Sequence, residues 1–282
     1  MTSEYTLCIL LPCYNYIEGV SRILDLVAVD PRICVVLADD STDMVYAEEI
    51  ESLISPLDSA RFIYYKGPLM GAVANWNFLL SKVNAKFFTL LHHDEVFSDL
   101  SFVDHLDQDL SSISTYVLPV KVFDENNVQR VIGSHTQKVM FYFARKFLPI
   151  FNYLGPSSVL IVNQNIRPKF NLDLCWFVDT EWYYRVLTHS ANDICFLNNG
   201  SFVESYAYID SITNSKFKSS KNISSFERVF LGNHGYKSTI IHWRIYGFIL
   251  VKFIFYTVGF LSYSRFFMSK FLSILRNSIN VN

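Results

Sequence analysis

The sequence predicts an α/β fold: one mostly parallel sheet with helices on its faces. Two observations carry this. Short β-rich apolar runs at Tyr5–Leu11, Ile33–Ala38, Arg61–Tyr65 and Lys86–Leu91 alternate with helical patterns near Ile17–Val29, Met44–Leu53 and Met70–Val83. Such alternation builds crossover units, whose strands are covered on both faces and therefore apolar throughout. Further along, Val117–Phe123 and Ser158–Val162 read as strands and Cys175–Thr188 as a helix. Ile194–Leu197 and Phe202–Tyr206 close the pattern as short strands, with no linker that would separate two folding domains.

Composition narrows the functional classes. The 282 residues are 16% aromatic with a mean hydropathy of +0.21, which excludes disorder and leaves ample core for one large domain. The formal charge of −2 gives no reason to expect nucleic acid as a partner. Five scattered cysteines without a CxxC argue against a disulfide framework or structural zinc. MTSEYTLCILLP has no basic region ahead of its apolar run, so the expectation is a cytoplasmic chain without a signal peptide.

The charge is unevenly placed. Residues 211–282 hold ten of the 24 Lys/Arg and a single acid, Glu227. On a continuous helix, Lys237, Arg244, Lys252, Arg265, Lys270 and Arg276 fall within an arc of about 140°, while Phe253, Phe260, Phe267, Phe271 and Leu275 point away. A basic stripe beside bulky apolar residues suits a helix lying in an anionic membrane surface. That reading is taken ahead of an ordinary packing helix. A true span ranks third, because Lys252 interrupts the uncharged stretch.

In parallel sheets ligands bind beyond the carboxyl ends of the strands. Here those ends read Pro12-Cys13-Tyr14-Asn15, Asp39-Asp40-Ser41-Thr42-Asp43 and His92-His93-Asp94-Glu95. Neither GxGxxG nor GxxxxGK[ST] occurs. Asp39 and Asp40 are placed to accept hydrogen bonds from a base or ribose, with helix capping left to Ser41–Asp43. The oxygen ligands of the third cluster suit Mg²⁺ or Mn²⁺, against the competing explanation of a polar loop followed by a helix capped at Ser98 or Asp99. In Trp176–Arg185, Asp179 beside Trp182 or Tyr183 suits either a sugar-binding wall with a base of raised pKa, or an amphipathic core helix.

Taken in order, ILLPCYNYIEGV, VVLADDSTD, MGAVANWN, FFTLLHHDEVFSD, LGPSSVLIV and CWFVDTEWYYRVL resemble a family 2 glycosyltransferase of the GT-A type, whose single sheet is Rossmann-like. The similarity covers roughly residues 6–213 and extends to bacterial enzymes of surface polysaccharide (O-antigen or capsule type), many of them with a basic aromatic C-terminal extension. It implies a catalytic domain over 1–213 and a basic amphipathic helical region over 214–282, which associates with the membrane. The resemblance places Pro12, Tyr14, Asp39, Asp40 and Asn77 at the nucleotide and Asp94 at a Mg²⁺ or Mn²⁺ ion. Asp179 is implied as the catalytic base, with Trp176, Trp182 and Arg185 at the donor or acceptor sugar. The departures are His92 at the first position of the DxD motif, Val178 in place of a Glu, and Tyr208 in place of a later His. The implied activity is inverting sugar transfer from a nucleotide-diphosphate sugar, UDP favoured, to a polyprenyl-diphosphate-linked glycan at the cytoplasmic membrane face. The alternative is a decayed sugar-nucleotide- or glycan-binding protein. A nucleotidyltransferase ranks lower, because Tyr14–Glu18 offers no base for a triphosphate.

Overall fold

A computed structural model describes residues 5–108, 113–124, 127–190, 193–206 and 220–243. The motif at Tyr208 and the stripe beyond Trp243 lie outside the described residues.

Strand β1 (Tyr5–Cys13) and β2 (Ile33–Asp39) are buried at every position. This explains their unbroken apolar sequence: both faces are covered, so neither can alternate. With β3 (Phe62–Lys66) and β4 (Ala85–Leu90) they form the parallel half of a seven-stranded sheet. The other half contains β6 (Thr115–Val117), β9 (Leu160–Asn163) and β10 (Ile194–Phe196), in the order β10-β6-β9-β4-β1-β2-β3. Only β9 runs antiparallel to its neighbours.

Helices α1 (Glu18–Ala28), α2 (Met44–Ile54) and α3 (Ala72–Leu80) make the crossovers. Gly19, Val20, Ile23, Leu24 and Val27 form the buried stripe of α1. Gly19 is required there for space, because a Cβ would collide with the His93 carbonyl oxygen. The start of α1 therefore lies directly on the His92–Glu95 loop. Asp43 caps α2 by accepting from the Val45 N–H at 3.0 Å, as expected of that stretch.

The expected strand Val117–Phe123 is two strands, since the chain leaves β6 at Leu118-Pro119 and enters a second sheet as β7 (Val120–Asp124). That sheet runs β5 (Glu95–Phe97), β11 (Val203–Tyr206), β7, β8 (Asn127–Ile132). Asp99 does not cap the short helix α4 (Val103–Asp107); it accepts from Ser98, Ser101 and Ser201 in the turn before it. Helix α5 (Ser134–Ala144) leads into a 3-10 segment, Arg145–Ile150, against which helix α6 (Val178–His189) packs.

Two described helices of the basic region, α7 (Ser220–Leu231) and α8 (Lys237–His242), meet at a bend where Gly235 takes φ +100°. They dock on the body of the fold: Trp243 packs on Phe147 and Phe151, and Tyr236 meets Tyr184 edge-on.

Candidate active site

The carboxyl ends of β2 and β3 frame a cleft of about 340 Å³ lined by Asp39, Ser41, Tyr64, Lys66, Gly67 and Leu69. Register explains this set, because Ala38 pairs with Tyr65 and Asp39 with Lys66. The Asp39 carboxylate accepts from the Ser41 N–H at 2.9 Å and the Tyr64 hydroxyl at 3.2 Å. Burial, and then the Asp39 charge, push the Tyr64 phenol well above its ordinary range.

Asp40 takes a different path. It is buried beneath Gly67 and Leu69, one oxygen accepting from the Leu69 N–H at 3.0 Å and the other sealed without a partner. Burial raises its pKa, the Leu69 N–H opposes the rise and the Asp39 charge adds to it. The two adjacent acids are thus divided, with Asp39 lining the cleft and Asp40 supporting the turn under it.

Pro12 is buried beside Ala38 near the end of β1, and Tyr14 stands 54% exposed with its hydroxyl 3.4 Å from Thr42. Asn15, at φ +46°, joins the two strand ends by accepting from the Thr42 and Asp43 N–H groups. Asn77 spends its amide elsewhere: its Nδ2 donates to the Phe170 carbonyl and its Oδ1 accepts from the Phe170 N–H. The asparagine beside the cleft is Asn75, buried, donating to the Ala38 carbonyl, with its Oδ1 unpartnered near Gly67. Sequence reasoning missed it, although its helical position two residues before Asn77 puts it on the opposite side of α3.

Beyond β4, His92, Asp94 and Glu95 each present a ligand atom within 4.8 Å of the others. Second-sheet pairing fixes this turn, since Glu95 opens β5 and the Tyr206 N–H donates to the Asp94 carbonyl at 2.9 Å. Trp76 stacks on the His92 ring at 5.2 Å. Burial pushes Glu95 up to about 7, with His92 opposing and Asp94 adding. Burial pulls His92 down, but Glu95, Asp94 and Asp179 outweigh it and leave its pKa raised. An imidazole nitrogen and two carboxylates within 4.8 Å of one another suit a divalent cation, which these three residues would hold.

Asp179 lies far away in sequence, yet its charge reaches His92. It is the second residue of α6, and its Oδ1 is sealed from solvent without a hydrogen-bond partner. Burial raises its pKa and His92 opposes the rise. A carboxylate with one unpartnered oxygen and a raised pKa is chemically able to take up a proton.

The other residues of the Trp176–Arg185 stretch separate. Trp176 is half-buried and partly open. Trp182 corrects the expectation of a sugar wall: it is 1% exposed, stacked on Phe170 at 4.6 Å, with its Nε1–H donated to the Pro168 carbonyl. Face and donor are both used in the core. Arg185 forms a two-pronged pair with Glu181 at 2.7 Å and donates to the Lys169 carbonyl, so it braces α6 from outside.

Residues 8–162, more than half of the chain, match the family model for glycosyl transferase family 2. The chain belongs to that family. No curated protein matches this family 2 chain in sequence. Solved structures share its GT-A fold. Staphylococcus aureus TarS 1–349 in complex with UDP-GlcNAc aligns with TM-score 0.58 at 17% identity, over 74% of this chain and 60% of that one. The Pyrobaculum calidifontis mannosyltransferase PcManGT, in complex with GDP-Man and Mn²⁺, aligns with TM-score 0.55 at 11% identity, over 91% and 74%. The family 2 chain therefore spans about 60% of the TarS fragment's length.

Proposed function

We propose that this family 2 member is an inverting glycosyltransferase that moves a sugar from a nucleoside-diphosphate donor, UDP-sugar favoured, to a hydroxyl of a lipid-linked glycan in bacterial surface polysaccharide synthesis. The observation that supports the proposal is that Asp179, with its unpartnered Oδ1, lies within electrostatic reach of His92 in the His92–Asp94–Glu95 cluster, beyond the sheet edge that holds the Asp39 cleft. The donors named for the two structural relatives, UDP-GlcNAc and GDP-Man, are both nucleoside-diphosphate sugars.

In this reading Asp39 and Tyr64 bind the nucleoside in the cleft, with Pro12 and Tyr14 at the neighbouring end of β1. Held at His92, Asp94 and Glu95, a Mg²⁺ or Mn²⁺ ion would supply positive charge to the departing diphosphate. Asp179 accepts the acceptor hydroxyl proton as that oxygen bonds to the anomeric carbon, and the bond from that carbon to the diphosphate breaks on the opposite face. One carboxylate suffices at the sugar, because the nucleoside diphosphate leaves without a general acid. A glycosidase needs two carboxylates across the bond. The side chains place donor and acceptor in line, a contribution of orientation rather than of new chemistry.

The test is nucleotide release from UDP-, GDP- and dTDP-sugars with a lipid-diphosphate monosaccharide acceptor and Mg²⁺ or Mn²⁺. Acceptor-dependent turnover with one donor should fall about 10²–10⁴-fold in Asp179→Asn while donor binding persists. Asp94→Ala should weaken the metal dependence and donor binding together. Saturable donor binding without turnover for any sugar would replace the transferase with a sugar-nucleotide-binding protein.

A further inference from the structure

We infer that Glu227 is a positioning residue for Asp179. It occupies the backbone amides onto which that carboxylate would otherwise fold, and so leaves the Oδ1 of the proposed base without a partner. The inference rests on the transferase reading above.

A helix begins with N–H groups that have no partner within it. At α6 the residue before the first turn is Phe177, whose side chain cannot cap. In a capping box the third helical residue reaches back to the N-cap N–H, and an acid elsewhere in the first turn is drawn to the same positive end of the helix. Asp179, the second residue of α6, makes no such bond through its Oδ1, which has no partner.

The N-cap amide of Phe177 and the two amides before it are already taken. Glu227 arrives from α7, 52 residues beyond Cys175. Its Oε1 accepts from the Cys175 N–H at 2.8 Å and the Trp176 N–H at 3.0 Å. Its Oε2 accepts from the Trp176 N–H at 3.1 Å and the Phe177 N–H at 2.8 Å. With 3% of its surface exposed, Glu227 holds these amides away from competing water. It is also the single acid of residues 211–282, so no neighbouring carboxylate in that stretch can replace it.

A second hold lies one turn further along. The Tyr236 hydroxyl donates to Glu181 Oε1 at 2.8 Å, on the carboxylate that Arg185 grips from the other side. The C-terminal helices thus fix α6 at its first turn and again at Glu181. Loss of the first hold would free the amides for Asp179 and turn the base away from the acceptor.

Glu227→Gln and Glu227→Ala in the full chain test this, read by kcat, donor KM and amide hydrogen exchange. Glutamine keeps one acceptor but points N–H groups at amides, so kcat should fall about tenfold. Alanine should cost about a hundredfold, the scale of a misplaced catalytic group. Donor KM should stay within about twofold, since the cleft at Asp39 is untouched, and exchange should accelerate at residues 175–177 alone. A kcat within twofold of wild type in both variants overturns the inference. So does loss of donor binding with exchange accelerated throughout, which would make Glu227 a support of the whole fold. Absence of turnover in the wild type is a distinct result: it removes the transferase reading itself.

Discussion

At Gly67 the site depends on a missing methyl group. The residue follows β3, its N–H donating to the Asp39 carbonyl at 2.8 Å, and its Cα faces the Asp40 carboxylate so closely that a Cβ would collide with Oδ1. A long surface side chain would swing aside. Asp40 cannot, because that same oxygen accepts from the Leu69 N–H and the other is sealed in the interior. The constraint is space rather than dihedral angle, so even alanine violates it. Gly67→Ala should therefore cost about 1–3 kcal/mol of stability, read from denaturant unfolding, and weaken donor binding because Gly67 and Leu69 both line the cleft. Unchanged donor affinity in the folded variant would show that the Asp40 turn does not shape the nucleotide site. The division of labour between Asp39 and Asp40 was not legible in sequence, where the two acids are neighbours with equal claims. It follows from strand alternation at the end of β2, which sends one side chain to the cleft and the other under it.

Elements of the parallel half were readable because burial on both faces leaves a plain signature, an uninterrupted apolar run bounded by polar strand ends. The second sheet left less: Phe202–Tyr206 was readable and is β11, but its partners were not. Glu95–Phe97 is three residues long, and the single run Val117–Phe123 serves two sheets, a partition made by tertiary packing at Leu118-Pro119 rather than by local propensity. The same limit applies to Trp182 and Arg185, whose helical spacing fits a sugar wall and a core helix equally well. Joints between elements are also tertiary, as at Arg32. It follows α1, pairs with Asp30 at 2.6 Å, and reaches Asp104 and Asp107 of α4 at 2.8 Å each, while Thr6 of β1 donates to Asp107. The Arg32 hydrogen bonds hold the Asp30 carboxyl below its ordinary value despite partial burial. A depressed folded pKa contributes stability that is present above the unfolded value, near 3.9, and lost as pH falls through the folded one. Thermal melts from pH 5 down to pH 2 should thus fall more steeply for wild type than for Asp30→Asn. At pH 7 the variant should already be less stable, by about 1 kcal/mol after screening at the partly exposed Arg32. Parallel pH profiles for the two proteins would remove Asp30 from the acid response.

For the whole molecule, charge is divided between an acidic body and a basic C-terminal region, and the two meet at α6. Glu227 and Tyr236 tie that region to α6, and Trp243 anchors its last described residue on Phe147 and Phe151. Whatever the following residues bind is thereby connected to the element that carries Asp179. No described helix is long and apolar enough to cross a membrane. Beyond the described residues, the sequence of Lys252, Arg265, Lys270 and Arg276 would suit attachment to an anionic surface if they share one helix face, where the proposed lipid-linked acceptor would be found. Each Lys or Arg near such a surface contributes about 1 kcal/mol. Replacing these four with Gln in the full chain should then weaken binding to phosphatidylserine vesicles by about 4 kcal/mol, or roughly a thousandfold in partition. The replacements lie beyond Trp243, so turnover with a water-soluble acceptor should remain while turnover with a vesicle-embedded acceptor falls. Flotation with and without 0.5 M salt separates the contributions, because surface electrostatics are screened over a few ångströms at that strength. Equal flotation of both proteins at low salt would leave the basic stripe without a membrane role and return the tail to ordinary packing.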